Sequence, residues 1–285
     1  IEVRQDDERH ELSVSLYGEV QKEVIQATLA DDYGIDVEFH ETTPIYIERL
    51  RGVGEGIEIL NTKTNPYRAT IGLRVEPAPG GAGLDFRLHV DHRRVPLYAF
   101  KKLESFGSAM EEYVREQLQE GLYGWRVPDC VVTMTDSNYS SPDGPQSTRG
   151  PLSTPADFRK LTPIVVMQAL ESAKTVVCEP TVRVALEVPT HAVGAVIPAL
   201  ARLGATFETP APEGETSTIS AVLPATRADE LQRELPALTR GEGVLDSSFA
   251  GYRPVSGDPP TRRRTRPNPL NLGEYVARVE RRFGI

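Results

Sequence analysis

An α+β fold follows from three features of this 285-residue sequence. Short runs of alternating apolar residues recur, as in Leu12-Ser-Val-Ser-Leu16 and Val182-Arg-Val-Ala-Leu186, the pattern of half-buried strands. Stretches with helical spacing separate them, as with Phe100, Leu103, Met110, Val114 and Leu118. Turn residues punctuate the junctions, most densely at Pro77-Ala-Pro-Gly-Gly-Ala-Gly83. Hydrophobic residues are 39% and charged residues 26% of the chain, an ordinary globular composition. No apolar run approaches the ~18 residues of a membrane helix, so no membrane partner is expected.

Residues 2–4 and 11–17 read as strands. Residues 18–30 read as a helix with Val20, Val24, Ala27 and Leu29 inward, and Ile35, Val37 and Phe39 as a further strand. That order is a ferredoxin-like plait lacking its first strand and helix. Residues 41–56 connect to a second region, with strands near 56–60, 67–76 and 84–90 and a long helix from Phe100 that ends at Gly121. A strand at 131–135 follows, then a polar loop, 136–153. The next helix starts at Pro155, with Thr154 as cap and Asp157 in its first turn. Pro163 is expected to kink or split it.

A third region reads β-α-β-β-α-β, the complete ferredoxin-like order. Its strands are 182–188, 205–209, 217–223 and 243–252. Its helices are 192–203, capped by Thr190 and closed by Gly204, and 226–238. A basic, Pro-rich linker leads to a last helix, 272–283. The expected boundaries are therefore 1–50, 51–178, 179–254 and 255–285.

Net charge is −9, but it is unevenly spread. Residues 1–50 hold 4 basic and 13 acidic residues, whereas the segment from Pro259 onward has seven Arg against Glu274 and Glu280. Cys130 and Cys178 suggest no disulfide framework and a reducing, cytoplasmic setting. Ile1 opens inside a pattern, so a piece of a longer protein is expected.

The sequence presents no catalytic constellation. His89 and His92 lie three apart on a strand end and face opposite ways, which argues against a shared metal. Gly80, Gly81 and Gly83 precede a strand and make a turn rather than a phosphate cradle. No GxxxxGK[ST] run and no Ser/His/Asp set occur, so no catalytic residue, cofactor or metal ligand is assigned. Two loops each set an aromatic beside a proline, Asn65-Pro66-Tyr67 and Tyr139-Ser140-Ser141-Pro142. Exposed aromatics can stack on unpaired bases; the bland alternative has both tyrosines flat on their own domain. Arg262, Arg263, Arg264 and Arg266 read either as phosphate contacts or as a solvated linker.

Several separated motifs resemble one family. They are Glu120-Gly-Leu-Tyr-Gly-Trp125, Asp129-Cys130, Tyr139-Ser-Ser-Pro142, Leu152-Ser-Thr-Pro-Ala-Asp-Phe158, Leu16-Tyr-Gly-Glu-Val-Gln-Lys-Glu-Val24, Thr43-Pro-Ile-Tyr-Ile-Glu48 and Leu238-Thr-Arg-Gly241. Together they are similar to the tetracycline resistance ribosomal protection proteins, paralogues of elongation factor G. The Arg-rich composition and the extended loop look most like an actinobacterial, oxytetracycline-type member.

The resemblance implies a partial domain III at 1–50, a ribosomal protein S5 domain 2-like domain IV at 51–178, a ferredoxin-like domain V at 179–254 and an appended C-terminal helix. It implies a cytoplasmic monomer that enters the A site of the 70S ribosome and ejects tetracycline from 16S rRNA in the decoding region. GTP and Mg would be used by a domain outside this chain. By position, Tyr139, Ser140, Ser141 and Pro142 match the family's drug-site loop, and Asn65, Pro66 and Tyr67 a neighbouring loop. Residues 143–151 make the first loop longer than usual. The competing family reading is domains III–V of a translocating elongation factor G. Against it, Asn65-Pro-Tyr-Arg-Ala-Thr-Ile-Gly72 stands where that factor carries a Gly-rich run.

Overall fold

The computed structural model describes residues 2–6, 11–15, 19–37, 44–141 and 151–282. The chain divides into two compact units, a plait unit of residues 1–45 and 179–253 and a loop-bearing unit of residues 46–178 and 254–285. The last helix thus belongs with the second region rather than standing apart.

The plait unit begins with strand β1 (Glu2–Asp6), antiparallel to β2 (Glu11–Ser15) with Val3 opposite Val14. Helix α1 (Glu19–Tyr33) follows. It outlasts its expected end at Ala30 because Gly34, at φ +64°, supplies the left-handed closing residue, its N–H reaching Ala30 O. No strand occupies residues 35–37, where one was expected; residues 38 and 39 of that expected strand lie outside the described residues. Val24 and Ala27, expected inward, are exposed, Ile25 and Leu29 are half-buried, and the side chain of Val20 lies outside the described residues.

In the loop-bearing unit, β3 (Ile47–Leu50) leads to β4 (Gly54–Glu58), β5 (Ala69–Pro77) and β6 (Leu84–Leu88). Helices α2 (Leu97–Phe100) and α3 (Leu103–Gln117) precede β7 (Cys130–Tyr139), and α4 (Pro155–Ala173) follows it. The sheet order among the described residues is β4-β5-β7-β6, antiparallel except for the β6–β7 pair. Ile71, Leu73, Val75, Val132 and Met134 alternate onto the face that meets Phe106, Met110, Phe158, Leu161 and Val165. Phe100, Phe106 and Phe158 pack edge to face, with centroids 5.0–5.9 Å apart. Gly54 and Gly56 let α4 lie directly on β4, since a Cβ at either would strike the backbone of Val165, Ala169 or Ala173.

Two expectations fail here. Strand β7 continues four residues past 135, because β5 pairs with it throughout and sets Ala69 opposite Tyr139. Of the kink or split expected at Pro163, the split does not occur, and helix α4 runs on through it. Phe158, Leu161, Ile164 and Val165 are buried on both sides of the proline, and that packing outweighs one lost hydrogen bond. Cys130 has no exposed surface, and burial, with the Asp129 charge, pushes its thiol up to about 12.

Strand β8 (Thr175–Pro189) pairs its first four residues with β3 and contributes the rest to the plait unit. There follow α5 (Val193–Arg202), β9 (Thr206–Phe207), β10 (Ala211–Glu213), β11 (Thr216–Pro224), α6 (Ala225–Thr239) and β12 (Val244–Pro254). Their sheet runs β10-β11-β8-β12, with β9 also on β11. Val196, Leu200, Leu231 and Leu235 close its core over Val184, Leu186 and Ile219. Thr190 does not cap α5 as expected. It opens a 3-10 turn, and its hydroxyl lies 3.2 Å from that of Ser217. The chain then returns to the loop-bearing unit and ends its described part with α7 (Leu272–Arg282), whose Tyr275 and Val279 are buried in that unit's core.

Candidate functional site

The polar loop is held at its two ends. Ser140 N–H donates to Ser153 Oγ at 2.8 Å, Ser153 N–H donates to Ser140 O at 3.3 Å, and Ser153 Oγ donates onward to Arg68 O. Tyr98 Oη donates to Ser153 O at 2.6 Å and approaches Ser140 O at 3.3 Å, so one hydroxyl spans both ends. On the helix side, Thr154 caps as expected and forms a capping box with Asp157, Thr154 N–H donating to Asp157 Oδ2 at 2.7 Å. The other Asp157 oxygen accepts Arg68 N–H at 3.1 Å. The loop ends therefore leave a frame tied to β5, β7, α2 and α4 together.

Tyr139 is the last residue of β7 rather than part of the loop. It is half-buried on the core edge, tilted at 55° to Tyr98 with centroids 5.7 Å apart. Ser140 and Ser141 are half-buried at the mouth. Pro142 and residues 143–150 lie outside the described residues.

The other expected loop is corrected. Asn65 and Tyr67 are buried, at 8% and 7% exposure, and only Pro66 is exposed, so no aromatic face is offered to a base. Asn65 builds the corner itself, donating from Nδ2 to Ala69 O at 2.7 Å and accepting Tyr67 N–H at 2.9 Å. Burial, then Glu280 and Asp157, pushes the Tyr67 phenol up to about 12. Its hydroxyl is buried without a hydrogen-bond partner among the described residues. Tyr67→Phe is therefore expected to leave stability unchanged or raise it by ~1 kcal/mol, since an unpaired buried hydroxyl is removed. A drop of similar size in a denaturant titration would show that the hydroxyl is paired.

The arginine segment is also corrected, because much of it is fastened to its own unit. Arg264 is half-buried and donates to Glu120 O at 3.2 Å and to Gly121 O. Arg266 donates to Glu116 O at 2.9 Å. Arg262 donates its N–H to Tyr123 O at 2.8 Å and sets its guanidinium 5.7 Å from the Trp125 ring centroid. Trp125 Nε1 in turn donates to Pro260 O at 2.7 Å. Arg263 is exposed. Arg264→Ala is expected to destabilise the unit by ~1–3 kcal/mol, and Arg263→Ala by no more than ~0.5 kcal/mol. Equal melting temperatures for the two variants would contradict this division.

The sequence reading gave no role to Glu48, which has no exposed surface. Its Oε1 accepts Tyr123 N–H at 2.8 Å and Trp125 N–H at 3.0 Å. Its Oε2 accepts Leu122 N–H at 2.8 Å and the Thr175 hydroxyl at 2.7 Å. Burial pushes the carboxyl above its ordinary range, and these four donors oppose that push. Gly121 gives the carboxylate room, and Gly124, at φ +84°, turns the chain under Arg262 O. Asp129 has a parallel duty, its Oδ1 accepting Gly81 N–H and Gly83 N–H at 3.0 Å each.

A basic stretch lies beside the loop as well. Arg93, Lys101 and Lys102 are exposed there, and Tyr98 is 47% exposed. The signal was present in the spacing of His92-Arg-Arg94 and Lys101-Lys102 around an aromatic. No apolar helix long enough to cross a membrane occurs among the described residues.

Comparison with known proteins bears on what such a frame is for. Residues 46–174 match the family model for elongation factor G, domain IV, and residues 176–263 that for the elongation factor G C-terminus. An oxytetracycline resistance protein of Streptomyces rimosus is 39% identical over 99% of this chain and 41% of its own length. Tetracycline resistance protein TetP of Clostridium perfringens is 36% identical over 93% of this chain and 38% of its own length. The chain thus spans about two fifths of the length of these relatives. A crystal structure of a Thermus thermophilus protein has the same fold, with a TM-score of 0.64 at 22% identity over 98% of this chain and 38% of that one.

Proposed function

The chain belongs to the elongation factor G family, among the tetracycline resistance proteins, and on that premise we propose that it is the ribosome-engaging part of such a protein. In this reading residues 1–50 are part of domain III, residues 51–178 domain IV and residues 179–254 domain V, with the terminal helix docked on domain IV. The loop from Ser140 through Pro142 reaches 16S rRNA in the A site of the 70S ribosome and displaces tetracycline there. GTP hydrolysis, with Mg, belongs to a domain outside this chain. The protein works as a cytoplasmic monomer.

The observation that carries the reading is the closed frame under the loop. Ser140, Ser153, Tyr98 and Asp157 tie both ends to four elements, so the tip is presented from a fixed base, as a binding loop requires. Displacing a drug breaks no covalent bond, so neither acid nor base is needed at the tip. The test is resistance in cells that express the full-length protein. Removing Ser140–Pro142 is expected to abolish it, while removing residues 143–151 leaves it. Resistance surviving the first deletion would refute the reading.

A further inference from the structure

We propose that residues 91–102 form a phosphate-binding platform that grips RNA beside the loop; this deepens the functional reading above and rests on it. Arg93, Lys101 and Lys102 are exposed, and among the described residues no ion pair engages any of them. Every other charge of the stretch is already satisfied. Arg94 bonds Asp136 at 3.0 Å, and the Asp91 carboxylate turns back to accept Arg93 N–H at 2.9 Å. Three exposed cations outside any ion pair, on one short stretch, match a polyanion.

The stretch is rigid and joined to the loop frame. Val95 is 2% exposed, and Ser137 Oγ donates to Arg94 O at 2.9 Å, anchoring the start on β7. Lys101 holds φ +66°, a conformation rare for a side-chain-bearing residue, with its N–H on Leu97 O at 2.7 Å. Lys102 N–H donates to Phe100 O at 2.8 Å. Tyr98, which falls between the cations in sequence, is 47% exposed while its hydroxyl spans Ser140 O and Ser153 O. A backbone gripped here would therefore fix the loop mouth as well. Three exposed cations flanking one exposed aromatic in sequence are a pattern of phosphate contact.

The test uses the full-length protein and 70S ribosomes. The triple variant Arg93→Gln, Lys101→Gln, Lys102→Gln is compared with wild type as salt is raised. The expected result is a log–log salt slope shallower by about two to three units, with affinity near 0.1 M salt lower by on the order of tenfold and an unchanged melting temperature. In a second arm, Lys102→Cys carries a photo-crosslinker, and the adduct should be sensitive to ribonuclease. Tight binding with an unchanged slope overturns the platform and leaves the loop reading standing. An adduct on ribosomal protein overturns RNA as the partner. Wild type that fails to bind ribosomes overturns the functional reading and the platform together.

Discussion

Replacing Glu48 by Ala is expected to unfold the loop-bearing unit or leave it marginal. The substitution strands three backbone N–H groups, of Leu122, Tyr123 and Trp125, and the hydroxyl of Thr175. Removing the buried partner of such donors costs ~3–5 kcal/mol, against the ~5–15 kcal/mol that ordinarily holds a domain folded. The turn it holds also anchors the returning segment through Tyr123 O and Trp125 Nε1, so the loss extends to the docking of α7. Glu48→Gln should fall between, because one oxygen keeps its two donors while the new amide NH2 faces the others. The thiol of Cys130, buried and held protonated, reports the outcome. It should resist alkylation at neutral pH in the native chain and react readily in Glu48→Ala. A variant with native melting and a silent thiol would show that the carboxylate is dispensable.

What could be read from the sequence was local. The Val182–Val188 alternation, the apolar spacing from Leu103 to Val114 and the Thr154-Pro155-Asp157 helix start each encode their element within a few residues, and each is present. The failures are long-range. Tyr67 looks like a loop aromatic until Tyr275 and Val279 of the last helix join its core. Arg264 and Arg266 look like a basic linker until Glu120 and Glu116 claim them from more than a hundred positions away. Glu48 reads as part of a connector, yet its hydroxyl donor, Thr175, stands 127 positions on. At the candidate site the helix cap was legible, because its partners are three apart. The Tyr98 clasp was not, because it joins segments 42 and 55 positions away. Some of the motifs that mark the family, Glu120–Trp125 and Asp129 among them, serve the fold, whereas Ser140 and Ser141 sit at the loop mouth.

Shortening the loop at Ser140–Pro142 should have the largest functional effect, and it should be selective. The deletion removes the tip-side end of the frame, but Ser153, Asp157 and Arg68 still hold one another, so β7 and α4 keep their packing. Ribosome binding spread over other surfaces should persist, while the contact that reaches the drug pocket is lost. Tyr139→Ala should act more weakly, at ~1–3 kcal/mol for one aromatic contact. Part of that is its packing on Tyr98, so a modest loss of stability should accompany it.

The most direct measurement is release of labelled tetracycline from 70S ribosomes by the full-length protein with GTP present. Wild type should release the drug. The Ser140–Pro142 deletion should bind the ribosome and hydrolyse GTP at the wild-type rate while the drug stays bound. Release at the wild-type rate by the shortened protein would contradict the account, because the displacing surface would then lie away from this loop.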